Sequence, residues 1–184
     1  ELRSPLTIIK GAVLTVKDKI AGELNPEQEE LLKDAGEGIS RLERMIDDLL
    51  DIAKIESGKM ELKLSPVNIN ELIQKVVDSS QLWAKSKKLE LKAIPGTIPE
   101  ILADSDKITQ IIMNLISNAI KFTKKGNVTV EIQWFPKTNL SSGKMQFRII
   151  DSGVGITMAQ IEKLFQPFTQ ADSSTTRLYG GSGL

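Results

Sequence analysis

Apolar residues near the start of the chain stand at Leu2, Leu6, Ile9, Val13, Val16 and Ile20, with gaps of four, three, four, three and four. That is a heptad seam, and it predicts a helix with one apolar stripe. After Gly22 to Asn25 a second seam runs through Leu32, Ala35, Ile39, Leu42, Ile46, Leu49 and Ala53. Asn25 suits its N-cap, Pro26 its first helical position, and Ser57-Gly58 its end. Joined by a short turn, the two helices predict an antiparallel hairpin. Ile8, Ala12, Leu31, Met45 and Ile52 widen the stripe beyond what one partner covers, so the expectation is a homodimer of hairpins closing a four-helix bundle. The alternative is that the hairpin packs on a second domain of its own chain.

Beyond the hairpin the period changes. Met60, Leu62 and Leu64 alternate with charged residues, which predicts a short strand, and Pro66 marks a boundary, dividing the chain into domains at 1–64 and 65–184. Asn70 suits the cap of a helix carrying Leu72, Ile73, Val76, Val77, Ser80 and Trp83. Leu89, Leu91 and Ala93 alternate as a strand, a Pro-Gly turn follows, and Glu100 to Ala103 forms another short strand. From Asp104 to Thr123, a helical period through Ile108, Ile111, Ile112, Leu115, Ala119 and Phe122 predicts a face buried on a sheet. Val128, Val130, Ile132 and Trp134, then Met145, Phe147 and Ile149, predict a strand hairpin with a long link from Pro136 to Lys144. Helices on one face of a mixed sheet make the second domain an α/β sandwich and the whole chain α+β.

Candidate chemistry lies on the 104–123 helix. Asn114, Asn118 and Lys121 fall within an arc of roughly 60° away from the apolar stripe. An amide oxygen is a hard ligand for Mg²⁺, and an ammonium suits phosphate oxygens. The predicted strand ending at Asp151 leads into Ser152-Gly153-Val154-Gly155, where a carboxylate can accept from a purine amino group and glycines admit a flat ligand. Thr157 to Gln160 has the form of a capping box opening a short helix with Ile161, Leu164 and Phe165, ended by Pro167. The polar run from Gln170 to Arg177 reads as a lid, and Gly180-Gly181-Ser182-Gly183 as a backbone cradle for phosphates. Each feature has an ordinary reading too: solvated amides, a common turn, a linker.

Composition narrows the chemistry. Lys plus Arg and Asp plus Glu number 24 each, so no overall field favours nucleic acid or an anionic membrane. There is no Cys, which excludes disulfides and thiolate metal sites and fits a reducing compartment. His is absent as well, removing the usual general base. No apolar run approaches the ~20 residues of a membrane span. A Gly-x4-Gly-Lys-Ser/Thr phosphate loop and a helix-opening Gly-x-Gly-x-x-Gly are both missing.

Taken in order, Asn-x3-Asn-x2-Lys-Phe-Thr, Asp-x-Gly-x-Gly, Phe165-Gln-Pro-Phe168 and Gly-Gly-x-Gly-Leu resemble the ATP-binding domain of sensor histidine kinases. Glu1-Leu2-Arg3-Ser4-Pro5-Leu6-Thr7 is similar to the segment just after their phosphoacceptor histidine. The resemblance covers nearly the whole chain. It implies the sandwich shared with gyrase, the heat-shock chaperone and mismatch-repair ATPases, with ATP and Mg²⁺ as cofactors. Asn118 becomes the Mg²⁺ ligand, Asn114 and Lys121 serve the metal and phosphates, Asp151 reads the adenine amino group, and Gly153 and Gly155 shape the base pocket. Phe165 and Phe168 anchor the lid, Gly181 and Gly183 bring backbone to the phosphates, and Arg177 compensates for Gln170, which stands where many relatives carry a basic residue.

Relatives that hydrolyse ATP use a Glu where Asn114 stands, and an amide cannot take a proton, so transfer to a side chain is favoured over hydrolysis. The implied acceptor is a histidine immediately before Glu1; Glu1 orients it, and Ser4 matches the position that aids the reverse, phosphatase reaction. Ser4-Pro5 by itself reads as a helix start, whereas the resemblance continues the helix upstream through a proline kink. The chain is expected to be part of a longer protein, its ATP-binding domain continuing past Leu184. The implied function is a dimeric cytoplasmic kinase core of a two-component phosphorelay, passing phosphate to a response-regulator aspartate, with any membrane anchor upstream. A catalytically silent ATP-binding scaffold and a phosphatase-dominant regulator are the alternatives.

Overall fold

The computed structural model describes residues 3–20, 22–137 and 143–162. Backbone contacts divide them into two compact units that meet in sequence between Met60 and Glu61.

The first unit is the helical hairpin, α1 (Arg3–Lys17) and α2 (Pro26–Glu56). Pro5 lies in the first turn of α1 as described, where a missing N–H is tolerated. At the head of α2, Asn25 and Gln28 form a reciprocal capping box at 2.8 and 2.9 Å, and Pro26 occupies the first helical position as expected. Ser57 caps the other end, and Gly58 follows at φ 65°, the left-handed conformation glycine adopts without strain. Leu6 and Ile39 are buried between the helices, with Val13, Val16, Leu32 and Ile46 half-buried around them. Lys10 bridges to Glu43 at 2.8 Å and Arg3 to Asp47 at 2.6 Å. The heptad stripe is closed along only one flank. Ile9, Leu42 and Leu49 stay about half exposed, and Ile8 and Leu31 more so.

The second unit contains β1 (Ser65–Val67), α3 (Ile69–Ser86), β2 (Leu89–Ile94), β3 (Ile101–Ala103), α4 (Ser105–Phe122), β4 (Gly126–Pro136), β5 (Gly143–Asp151) and α5 (Met158–Ile161). Its main sheet has the order β2-β4-β5, β2 parallel and β5 antiparallel to β4, while β1 and β3 form a separate antiparallel pair. The helices α3 and α4 bury Ile73, Val76, Val77, Ile112, Ile116 and Ile120 against Leu89, Leu91, Val128, Val130 and Ile132 of the sheet, making one core. Side chains of one parity on β4 enter this core, as the alternation predicts.

Several expectations are corrected. Met60 to Leu64 is not a strand: the ladder begins at Ser65, paired with Ala103, with Pro66 inside an edge strand where a missing N–H is tolerated. The cap of α3 is Asn68, whose side chain accepts from the Glu71 N–H. Asn70 instead holds Gly96, donating to its carbonyl at 2.9 Å and accepting its N–H at 3.2 Å. Trp83 is 41% exposed. On α4 the buried residues are Ile112, Ile116, Ala119 and Ile120, whereas Ile111, Leu115 and Phe122 remain exposed among the described residues. The buried stripe is thus rotated from the expected one, because Ile116 and Ile120, which the periodic count left out, are the residues that reach the core.

Candidate functional site

The chain brings one end of α4 to one end of the sheet by its connectivity. The helix stops at Phe122, β4 starts at Gly126, and the register places Asp151 opposite Val128 near the start of β4. The last turn of α4 and the turn after β5 therefore meet. A side chain at Gly153 would put its Cβ 2.8 Å from the Phe122 carbonyl oxygen and 2.7 Å from Asp151 Oδ1, so the close approach requires glycine. The Gly153 N–H donates to Asp151 Oδ1 at 2.8 Å, folding the turn back on its own carboxylate.

Ser152 locks the other side of the turn. Its hydroxyl accepts from the Asn127 N–H at 3.0 Å, and its own N–H donates to the Asn127 carbonyl at 3.3 Å. Gly126, at φ 117°, has no room for a Cβ beside that hydroxyl. Nothing in the sequence patterns singled out Ser152 or Gly126 for this contact, since it depends on which residues the β4–β5 register sets side by side.

Asn114 and Asn118 are exposed on α4, Lys121 is half-buried, and the Lys121 ammonium lies 4.9 Å from the centroid of the Phe122 ring. Asp151 is exposed and Gly153 half-buried; Gly155 adopts φ 70°. Connectivity and the Gly153 contact thus gather Lys121, Phe122 and the Asp151 turn at one end of the unit, with Asn118 and Asn114 one and two turns back along α4. Thr123 is 1% exposed, and its hydroxyl has no hydrogen-bond partner among the described residues. A buried polar atom in that state is satisfied by water or by a ligand.

At its other end α4 is held by Asp104, whose Oδ1 accepts from the N–H groups of Asp106 and Lys107, both at 3.1 Å, and whose Oδ2 accepts from the Lys63 N–H at 2.9 Å. The Lys63 and Lys107 N–H groups are the main cause holding this carboxyl below the usual carboxylate range, against a smaller opposing effect of burial. Thr157 and Gln160 form the expected capping box at the start of α5. Ser4 is exposed on the first turn of α1. Glu1, Phe165, Phe168, Arg177, Gly181 and Gly183, with Leu164, Pro167 and the Gln170 to Arg177 run, lie outside the described residues.

The donor set fits a nucleotide with a divalent cation. Among the described residues no three acidic or imidazole side chains converge as a metal cage. A hard cation here would take an amide oxygen from Asn118 and fill the rest of its shell with phosphate oxygens and water, the usual habit of Mg²⁺.

Comparison with known proteins gives two family matches along the chain. Residues 1–58 match the family model described as the His Kinase A (phospho-acceptor) domain, and residues 103–184 the model described as Histidine kinase-, DNA gyrase B-, and HSP90-like ATPase. The whole chain is 36% identical to the peroxide stress-activated histidine kinase mak2 of Schizosaccharomyces pombe, of which it covers 8%. Among the most similar curated relatives it spans from 8% to 21% of their length. Among solved structures, it superimposes over its full length on 36% of full-length ShkA in complex with AMPPNP, with a TM-score of 0.77 and 28% identity. It also superimposes over 91% of its length on 47% of the histidine kinase ThkA in complex with the response regulator protein TrrA, with a TM-score of 0.57 and 25% identity.

Proposed function

Because this chain belongs to the sensor histidine kinase family, we propose that it forms the catalytic core of such a kinase, binding Mg-ATP beside α4 and the Asp151 turn. The γ-phosphoryl passes to a histidine immediately before Glu1 and then to a response-regulator aspartate. The observation that carries this reading is the seating of Gly153 against the Phe122 carbonyl, which sets the Asp151 carboxylate beside the end of the helix that bears Asn118 and Lys121.

Each residue's part follows from its chemistry. Asn118 offers its amide oxygen to the cation, and Lys121 offers a point charge to the phosphates. Asp151, at a strand end, accepts from the amino group of the base, while Gly153 and Gly155 leave room for the ring. Asn114, an amide, has no means of deprotonating water, so the site suits transfer to a positioned nucleophile. When bound, Mg-ATP supplies the electrophilic phosphorus and neutralises the charge on its departing oxygens. Residues 1–64 act as the dimerisation and phosphotransfer hairpin and residues 65–184 as the ATP-binding domain. The open apolar flank of the hairpin supports pairing with a second copy, and ThkA's complex with its regulator supports that class of partner.

Calorimetric titration of the 184-residue chain with Mg-ATP is the first test, with Asn118→Ala expected to abolish metal-dependent binding. A chain carrying histidine immediately before Glu1 is then expected to take acid-labile, base-stable label from γ-labelled ATP. Binding without any label would leave the silent scaffold standing in place of the kinase.

A further inference from the structure

We infer that Lys87 is a positioning residue for the nucleotide site, an inference that rests on the function proposed above. Lys87 is the C-cap of α3, its backbone N–H donating to the carbonyl oxygens of Trp83 and Ala84 at 3.3 and 3.1 Å. Its side chain leaves that helix. The ammonium lies 5.8 Å from the centroid of the Trp83 ring and donates to the carbonyl oxygens of Ile120 and Lys121, at 3.2 and 3.3 Å, in the last turn of α4.

The carbonyls that end a helix must find partners outside the regular ladder. At the end of α4, Ala119 accepts from the Thr123 N–H at 3.1 Å, Ile120 and Lys121 accept from Lys87, and the Phe122 carbonyl is the group against which Gly153 seats. One ammonium from the neighbouring helix therefore closes the turn that carries Lys121 and abuts the Asp151 turn.

Two consequences bear on the ligand. The first is geometric: holding the Ile120 and Lys121 carbonyls fixes where the last turn stops, and so the spacing between Lys121 and Gly153. The second is electrostatic. The carbonyl end of a helix carries roughly half a negative charge, which opposes phosphate oxygens brought near it. Lys87 places a positive charge on that end from behind, while Lys121 meets the phosphates. A substitution at Lys87 is thus felt at a ligand that Lys87 does not touch.

The test is calorimetric titration of Mg-ATP into the 184-residue chain and its Lys87→Met and Lys87→Arg variants. Lys87→Met is expected to raise Kd about fivefold to tenfold, and Lys87→Arg, which keeps charge and donors, to recover most of that loss. A residue that merely stabilised the fold would lower the thermal midpoint yet leave Kd unchanged well below the transition. An unchanged Kd in Lys87→Met overturns the inference. Failure of the native chain to bind Mg-ATP overturns the proposed function and this inference with it. Should Lys87→Met not fold, Lys87→Gln, with a neutral amide donor in place of the ammonium, takes its place in the same titration. Faster amide exchange at residues 119–123 and a raised Kd are expected there, and no change in either counts against the inference.

Discussion

Asp104 shows how much one side chain contributes without any part in the chemistry. Its two carboxylate oxygens take three backbone N–H groups, two from the first turn of α4 and one from Lys63 in the segment before β1. These bonds favour the charged form, so the carboxyl is held below its usual range in the folded chain. A group with a depressed folded pKa adds stability that is complete above its unfolded pKa and lost as pH falls through the folded one. Asp104→Asn is therefore expected to be less stable than the native chain at neutral pH, with the gap closing as pH drops below about 4. Urea midpoints across a pH series measure this, and a gap that persists unchanged into acid would contradict it. Residue-scale reading of the sequence succeeded at Asn25 and Thr157, where cap and glutamine partner lie three apart in one local pattern. It failed at Asn70. The cap is Asn68, two residues earlier, because the pairing of β1 ends at Val67 and the chain turns into the helix there.

Among the elements, α4 matters most, since it is at once a wall of the core and the carrier of the candidate site. Its sequence has isoleucine or leucine on more than one side, so periodicity identified the helix but placed its buried stripe wrongly. Ile116 is 1% exposed and Ile111 is 57% exposed. Ile116→Ala is expected to cost about 3 kcal/mol in chemical denaturation, through lost burial and the cavity left behind. Ile111→Ala is expected to cost less than about 1 kcal/mol. Equal effects would mean that the helix is rotated from the orientation described. The same element shows what its own sequence conceals. The capping of its last carbonyls comes from Lys87 on α3, a residue with no motif around it.

At the scale of the whole molecule, the exposed apolar flank of the hairpin bears on assembly. The hairpin buries Leu6 on α1 and Ile39 on α2 and leaves Ile9, Leu42 and Leu49 exposed on the same heptads. Among the described residues of this unit no further layer covers that flank, and a second copy offers a matching one. Sedimentation is expected to show the native chain as a dimer, and a variant with both Leu42→Glu and Leu49→Glu as a monomer that keeps its helicity. A native chain that sediments as a monomer at micromolar concentration would remove the four-helix bundle.

The linear order of residues by itself determined the features whose causes are local: helix periods, caps at Asn25 and Thr157, the alternation of β4 and β5, and the grouping of Asn114, Asn118 and Lys121 on one side of α4. These depend on contacts between residues a few positions apart, which any reader of the chain can count. The meeting of Phe122 with Gly153, the lock of Ser152 on Asn127, the hold of Asn70 on Gly96 and the reach of Lys87 to α4 were decided only by tertiary structure. Each joins groups from 25 to 34 positions apart whose distance is set by strand register and helix packing, for which the intervening sequence holds no period to count.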